Sequence, residues 1–204
     1  MKVIKLLGLV VCGTMLVAGC RKTNFVDKTA FKSAINNYYN NRQECVWSSP
    51  VKLPVQVDAS NYEQTKGYDA LTDAGFLVRK AAEKKRFLIG SKQVTDYDIS
   101  DKGRTNWTAD QTQPGYGNFC FGHLEVTTID GFSPSDVSDA AQYTVSYHYD
   151  VASVPGWAST VEIKTAFPRV AVDTSGQQTS VANLVKSSSG WQVNSVVPAL
   201  GVTQ

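Results

Sequence analysis

From about residue 115 the chain alternates between apolar and polar residues, and this most restricts what it can fold into. In the run from Tyr143 to Asp150, Tyr143, Val145, Tyr147 and Tyr149 fall on one side. Thr144, Ser146, His148 and Asp150 fall on the other. A period of two places successive side chains on opposite faces of a strand. Upstream, Cys120, Leu124 and Val126 are predicted to share one face, and Phe119, Phe121, His123 and Glu125 the other. Val161, Ile163 and Phe167 extend the same theme. Residues 181–186 and 191–197 flank a Ser-rich turn ending at Gly190, a hairpin signal. The pattern predicts four or five antiparallel strands, each with one apolar and one polar face.

The first half is different. Asp27 can cap a helix in which Phe31, Ile35 and Tyr38/Tyr39 recur at helical spacing. The reading is an amphipathic helix over 28–44 with Lys32, Asn36, Asn40 and Asn41 on its polar face. Pro50 and Pro54 keep residues 48–59 extended. Ser60 and Glu63 form a capping box for a helix from 61 to about 74, closed by Gly75. Residues 76–78 and 94–99 are predicted strands, and Ser100 or Asp101 caps a short helix to Trp107. The expected class is therefore α+β: an N-terminal helix, a helix–hairpin–helix middle, then an antiparallel β-sheet. A boundary near 115 divides a region 28–114 from a β region 115–204, as two parts or as one domain.

Residues 1–27 carry a separate message. Lys2 and Lys5 precede a mostly apolar run that is shorter than the roughly 20 residues needed to cross a bilayer. That run ends in Leu16-Val17-Ala18-Gly19-Cys20. Leader and box together resemble the signal segment of bacterial lipoproteins. The resemblance implies removal of residues 1–19, a diacylglycerol thioether on Cys20, acylation of the new amino terminus and a tether over 20–27. By the sorting rule of enteric members of that family, in which Asp at this position favours inner-membrane retention, Arg21 implies the outer membrane, facing the periplasm. Two or more acyl chains give stable anchoring, at roughly 0.8 kcal/mol per buried methylene.

Cleavage changes the charge balance. Of 20 basic residues the leader removes Lys2 and Lys5 and no acid, which leaves 18 against 18 acidic ones. A neutral mature chain gives no global attraction to nucleic acid. Cleavage also removes Cys12, and lipid consumes Cys20. Cys45 and Cys120 remain, and in an oxidising compartment they are expected to form one disulfide. The alternatives are a redox pair or a metal site. The first lacks close Cys-x-x-Cys spacing, and the second has only His123 and His148 to add, without ligand spacing.

Tyr68 to Val78 followed by Tyr97 to Arg104 resembles a winged-helix unit: a helix ending at Gly75, a two-stranded wing, and a capped helix. The likeness spans about 40 residues within 61–107 and implies local structure more than function. On that reading, the stretch from Arg79 to Arg86 forms the wing tip. Arg79, Lys80, Lys84, Lys85 and Arg86 there face one acid, Glu83. Such a cluster is a candidate surface for an anionic partner, with a solvated tip as the plain alternative.

Catalytic readings are thinner. His148 between Ser146 and Asp150 could serve a periplasmic hydrolase, although a polar sheet face explains the same residues. Asp96, Asp98 and Asp101, and the pair Asp136 and Asp139, lack a flanking aromatic platform for a sugar. There is no phosphate-binding glycine loop, and no cofactor is implied. Tyr38, Tyr39, Trp47, Tyr143, Tyr147, Tyr149, Trp157 and Trp191 are expected in the core. The expected role is a lipid-anchored, non-enzymatic binding or structural module of the cell envelope. Its partners would be the membrane through the anchor and an envelope protein or component, not nucleic acid.

Overall fold

The structure, a computed structural model, describes residues 26–86, 90–135 and 140–197. Cys20, the leader, most of the tether, Asp136 and Asp139 lie outside the described residues. For Lys84, Lys85 and Arg86 only the backbone is described.

The chain is a mixed α+β structure, mostly β. In order it forms α1 (Lys28–Tyr39), β1 (Gln43–Cys45), β2 (Val51–Lys52), β3 (Val55–Asp58) and α2 (Tyr62–Asp73). Next come β4 (Leu77–Arg86), β5 (Gly90–Ile99), α3 (Asp101–Arg104), β6 (Trp107–Ala109) and β7 (Tyr116–Ser133). After β8 (Gln142–Ala152), a 3-10 turn (Gly156–Ser159), α4 (Val161–Ala166) and α5 (Pro168–Asp173) precede β9 (Gln178–Ser187) and β10 (Gly190–Val197). The larger sheet runs β1-β7-β8-β9-β10, with β2 and β6 also on β7, and the smaller runs β3-β5-β4. All pairings are antiparallel.

Two apolar clusters hold these elements. In one, α1 lays Phe31, Ile35 and Tyr39 on Val126, Tyr143, Val145, Tyr147, Ala182 and Leu184. In the other, Leu71, Phe76 and Tyr97 meet Phe119, Phe121, Ile163 and Val170. That second cluster, and the pairing of β1, β2 and β6 with β7, join the regions on either side of residue 115. The aromatics named from sequence all lie in or against these clusters.

Several sequence expectations are corrected. The first helix stops at Tyr39, not 44, because residues 43–45 are drawn into β1 against β7. Asn61 rather than Ser60 caps α2, its side chain accepting from Gln64 N–H, and Ser60 turns to Asp58 instead. Ser100 caps α3, which ends at Arg104, so Trp107 opens β6. Val161, Ile163 and Phe167 are not on a strand. Thr160 caps α4 and only Ile163 and Phe167 of the three are buried. Helices therefore interrupt the β region rather than only preceding it.

The face assignment in β7 holds for the apolar residues up to Val126 and changes beyond it. Phe119 and Phe121 join the second cluster and Leu124 and Val126 the α1 cluster, as their spacing predicts, but Ile129, three residues on, joins Val126. The register slips near Gly122, whose φ is +149°, and again at Thr127 and Asp130. The bulges at Thr127 and Asp130 reset the period-two pattern. In β8 no slip occurs, and Tyr143, Val145 and Tyr147 are buried together as predicted.

Cys45 and Cys120 form a disulfide, and they are direct register partners on β1 and β7. In the chain-entropy picture, closing a loop with sequence separation 75 contributes about 4 kcal/mol.

Candidate functional site

An open cleft of about 390 Å³ lies between α2 and the sheet β3-β5-β4. Ala59, Thr65, Asp69, Arg79, Ala81, Thr95 and Tyr97 line it. Its geometry is set at the base of the β4–β5 hairpin. Gly75, at φ +81°, ends α2 in the left-handed conformation that glycine tolerates best. Ser100 Oγ donates to Gly75 O at 2.6 Å, and Lys102 Nζ donates to Ala74 O at 2.7 Å. These bonds satisfy carbonyls at the helix end and fix the hairpin against α2.

Asp69 is the centre of the cleft. Its Oδ1 accepts from Arg79 Nη1 at 2.6 Å and from the Tyr97 hydroxyl at 2.9 Å. Tyr97 is only 1% exposed and stacks on Tyr68 with ring centroids 5.0 Å apart. Burial first, then the hydrogen bond to Asp69 and its charge, push the Tyr97 hydroxyl up to about 12. The hydroxyl is thus held as a donor at neutral pH. The hydrogen bond that Arg79 donates to Asp69, then the charge of that carboxylate, raises the Arg79 guanidinium. Beyond the cleft, Lys92 pairs with Asp58, and with the Ser60 bonds lowers that carboxyl to about 2.

Such a set holds charges and hydrogen-bonding groups in fixed places. The lining contains a guanidinium, a phenol and a doubly bonded carboxylate, but no adjacent nucleophile and base.

The basic stretch runs along the hairpin, from near its base to its distal end, rather than lying wholly at the tip. Arg79 lies near the base of the hairpin opposite Tyr97, inside the cleft. Lys80 is exposed on the opposite face, across from Asp96, whose carboxylate accepts from Gln56 Nε2 at 2.8 Å. Lys84, Lys85 and Arg86 fall on the distal rungs opposite Lys92, Ser91 and Gly90. The five basic residues therefore share a strand, β4, rather than a point. Sequence reasoning found Arg79 by charge but not Asp69, because nothing in the α2 sequence sets Asp69 apart from Asp73.

On the polar face of the large sheet, His148 Nδ1 lies 2.6 Å from Asp130 Oδ1. Asp150, the carboxylate adjacent in sequence, stands opposite Glu125 instead. Ser146 Oγ donates to Gly131 O at 3.3 Å. The structure thus brings His148 to a carboxylate on β7 and turns Ser146 to a backbone carbonyl. His123 lies at the crossing of β1, β7 and β8 near the disulfide.

A third charged group was not visible in sequence. Arg169 pairs with Glu44, and its Nε lies 3.2 Å from Asp173 Oδ2. Burial first, then Glu44, push the Asp173 carboxyl up, against the opposing pull of Arg169. The i,i+4 spacing of Arg169 and Asp173 is a helix signal, but Glu44 arrives only through the fold.

Among the described residues, no cluster of three or more His, Cys, Asp and Glu could hold a metal, and no helix is long and apolar enough to cross a membrane. No protein-family model, curated protein sequence or solved structure matches this chain.

Proposed function

We propose that this chain is a lipid-anchored lipoprotein of the bacterial cell envelope, held at the outer membrane and facing the periplasm. Its role is non-enzymatic: the folded part binds an envelope protein or component. The observation that carries the location is the leader ending in the lipobox at Cys20. Binding rests on Arg79, held by Asp69 at the mouth of an open cleft on a strand that also bears Lys80, Lys84, Lys85 and Arg86. The order α2, β4, β5, α3 supports reading this unit as winged-helix-like, with the wing turned to an anionic partner. The neutral mature charge and the envelope location argue against a nucleic-acid role.

Location is tested by feeding cells an alkynyl palmitate. Label is expected on the wild-type protein and not on Cys20→Ser; equal label on both removes the lipoprotein reading. Binding is tested by cross-linking in intact cells through a C-terminal tag. One dominant envelope partner supports it, and background recovery alone shifts weight to an enzymatic role.

The second reading, a periplasmic hydrolase, draws on the 2.6 Å contact between His148 and Asp130. A base held by a carboxylate is half of a nucleophilic relay. A His148→Ala strain that shows none of the deletion phenotype removes that reading.

A further inference from the structure

We infer that the outer edge of β4 is a receptor for an acidic, extended peptide segment of an envelope partner, which adds to the β3-β5-β4 sheet as a further strand. This rests on the binding role proposed above and specifies its chemistry.

β4 is the last strand of its sheet and has 10 residues. Its register with β5 is unbroken from Leu77 opposite Ile99 to Arg86 opposite Gly90, with no proline and no bulge. Alternate backbone groups of such a strand point away from its neighbour and can pair with another chain. Among the described residues no element pairs with that edge. Val78, Arg79, Lys80, Ala81 and Glu83 are exposed along it.

The same protein closes a comparable edge elsewhere. The side of β7 away from β8 is capped by three residues of α1. Lys28 donates to Ile129 O and Asp130 O, Lys32 donates to Thr127 O, and Asn36 accepts from Val126 N–H. Among the described residues no such row of helix side chains lies along β4; α2 packs on its face.

Charge selects the occupant. β4 carries Arg79, Lys80, Lys84, Lys85 and Arg86 against Glu83. Pairing with a second copy of β4 would set like charges opposite one another, which is destabilising. An acidic strand faces the opposite situation. Main-chain hydrogen bonds supply affinity in strand addition, and alternate side chains supply specificity. On the α2 side Ala81, small and exposed, leaves room beside Arg79 for a guest side chain. On the other side Lys80 is exposed to meet a carboxylate.

The test titrates the full-length protein in detergent with fluorescein-labelled peptides as long as β4, alternating Glu with Val, Thr or Tyr. A second set carries N-methyl groups on alternate residues, which removes main-chain donors and keeps the charge. A third probe is phosphatidylglycerol vesicles. The expected result is saturable binding of an acidic peptide, weakened about ten-fold or more by N-methylation, since main-chain pairing carries the affinity. Amides of residues 78–83 should then gain protection from hydrogen exchange. Lys80→Glu with Lys84→Glu, melting like the parent, should weaken that peptide and strengthen its Lys-for-Glu counterpart. Equal binding of the N-methylated peptide, or vesicle binding without protection of β4, overturns strand addition and leaves a basic docking surface standing. Binding of neither peptide nor vesicle overturns both, while the palmitate label still reports the anchor independently.

Discussion

The Val126 N–H donates to Asn36 Oδ1 at 2.8 Å, joining the polar flank of α1 to the free edge of β7. Lys28, Lys32 and Asn36 are spaced four apart, one helical turn each, so they lie in a row along that edge. The carbonyls they meet include Thr127 O and Asp130 O, which belong to the bulged residues of β7. A bulge leaves its extra residue unpaired in the ladder. The helix thus supplies the missing donors while its apolar face packs on the sheet.

Asn36→Ala should therefore destabilise the fold by about 1–3 kcal/mol, the cost of leaving a partly buried backbone donor unmet. Asn36→Asp keeps an acceptor and should lose less at neutral pH. Lys32→Met should cost about 0.5–1.5 kcal/mol, the net worth of a part-buried hydrogen bond to Thr127 O. Urea midpoints compared at constant m-value check the order. Equal loss for Ala and Asp would mean that the Val126 bond is not the source.

These side chains show where sequence reading stops. The helix period, the Asp27 cap and the buried face through Phe31, Ile35 and Tyr39 were legible, because they depend on neighbours within a few turns. Lys32 and Asn36 read as a solvated face, because their partners lie 95 and 90 residues away. The same limit explains β1 taking residues read as helix, and the bulges at Thr127 and Asp130 resetting the faces of β7. In the 161–167 segment Val161, Ile163 and Phe167 fit a strand period, but the Thr160 cap and Pro168 opening α5 decide for helix. In the cleft, the basic run was plain, whereas Asp69 and Tyr97 become partners only when the hairpin folds back on α2.

Arg169 stands between Glu44 and Asp173, whose side chains are 17% and 14% exposed. Arg169→Met would leave two carboxylates facing each other with no cation. The expected loss is about 2 kcal/mol, below the value for a fully buried pair because the guanidinium is partly solvated. Since Asp173 is already raised by burial and Glu44, its proton should bind still more readily in the variant. A group whose folded pKa is raised disfavours the folded state once pH rises above its unfolded value. The variant should thus recover stability as pH falls from 7 toward 4. Denaturant titrations at both ends of that range read the difference. A variant loss that does not shrink on acidification would contradict the assignment.

The buried tyrosines predict alkaline weakness. The Tyr39 and Tyr147 hydroxyls are 2.7 Å apart inside the α1–sheet cluster. Burial first, then the bond and charge of Tyr147, push Tyr39 far up, and burial raises Tyr147, Tyr68 and Tyr149. Below the ordinary value of 10.0 both folded and unfolded chains hold these protons, so no pH dependence arises from them. Above it the unfolded chain releases protons that the folded chain keeps, and stability falls. Tyr97, at about 12, should titrate earlier than Tyr39. Near-ultraviolet tyrosinate absorbance should rise cooperatively with loss of ellipticity. Tyr39→Phe with Tyr147→Phe should lessen the alkaline loss, and unchanged alkaline behaviour would remove the pair as its cause.

Gly103 tests whether the hairpin base positions the cleft. A Cβ built there would come within 2.0 Å of Phe76 O and 2.9 Å of Ile99 Cγ1, so backbone would have to move. That backbone is the junction through which Ser100 and Lys102 hold α2 against β4 and β5. Gly103→Ala should cost about 2 kcal/mol or more by overpacking. Gly156→Ala, with nothing within 4 Å of the new Cβ, serves as the matched control and should be near neutral. The local consequence is the more informative one. Displacing Phe76 shifts β4 relative to α2, so the Arg79–Asp69 bond and the Tyr97–Asp69 bond should lengthen together. Tyr97 would then lose its carboxylate partner, and the absorbance titration of that tyrosine should move while Tyr39 and Tyr147, in the other cluster, stay put. If Gly103→Ala shifted all the tyrosines alike, the two clusters would be coupled and the base of the hairpin would not be a local hinge for the cleft.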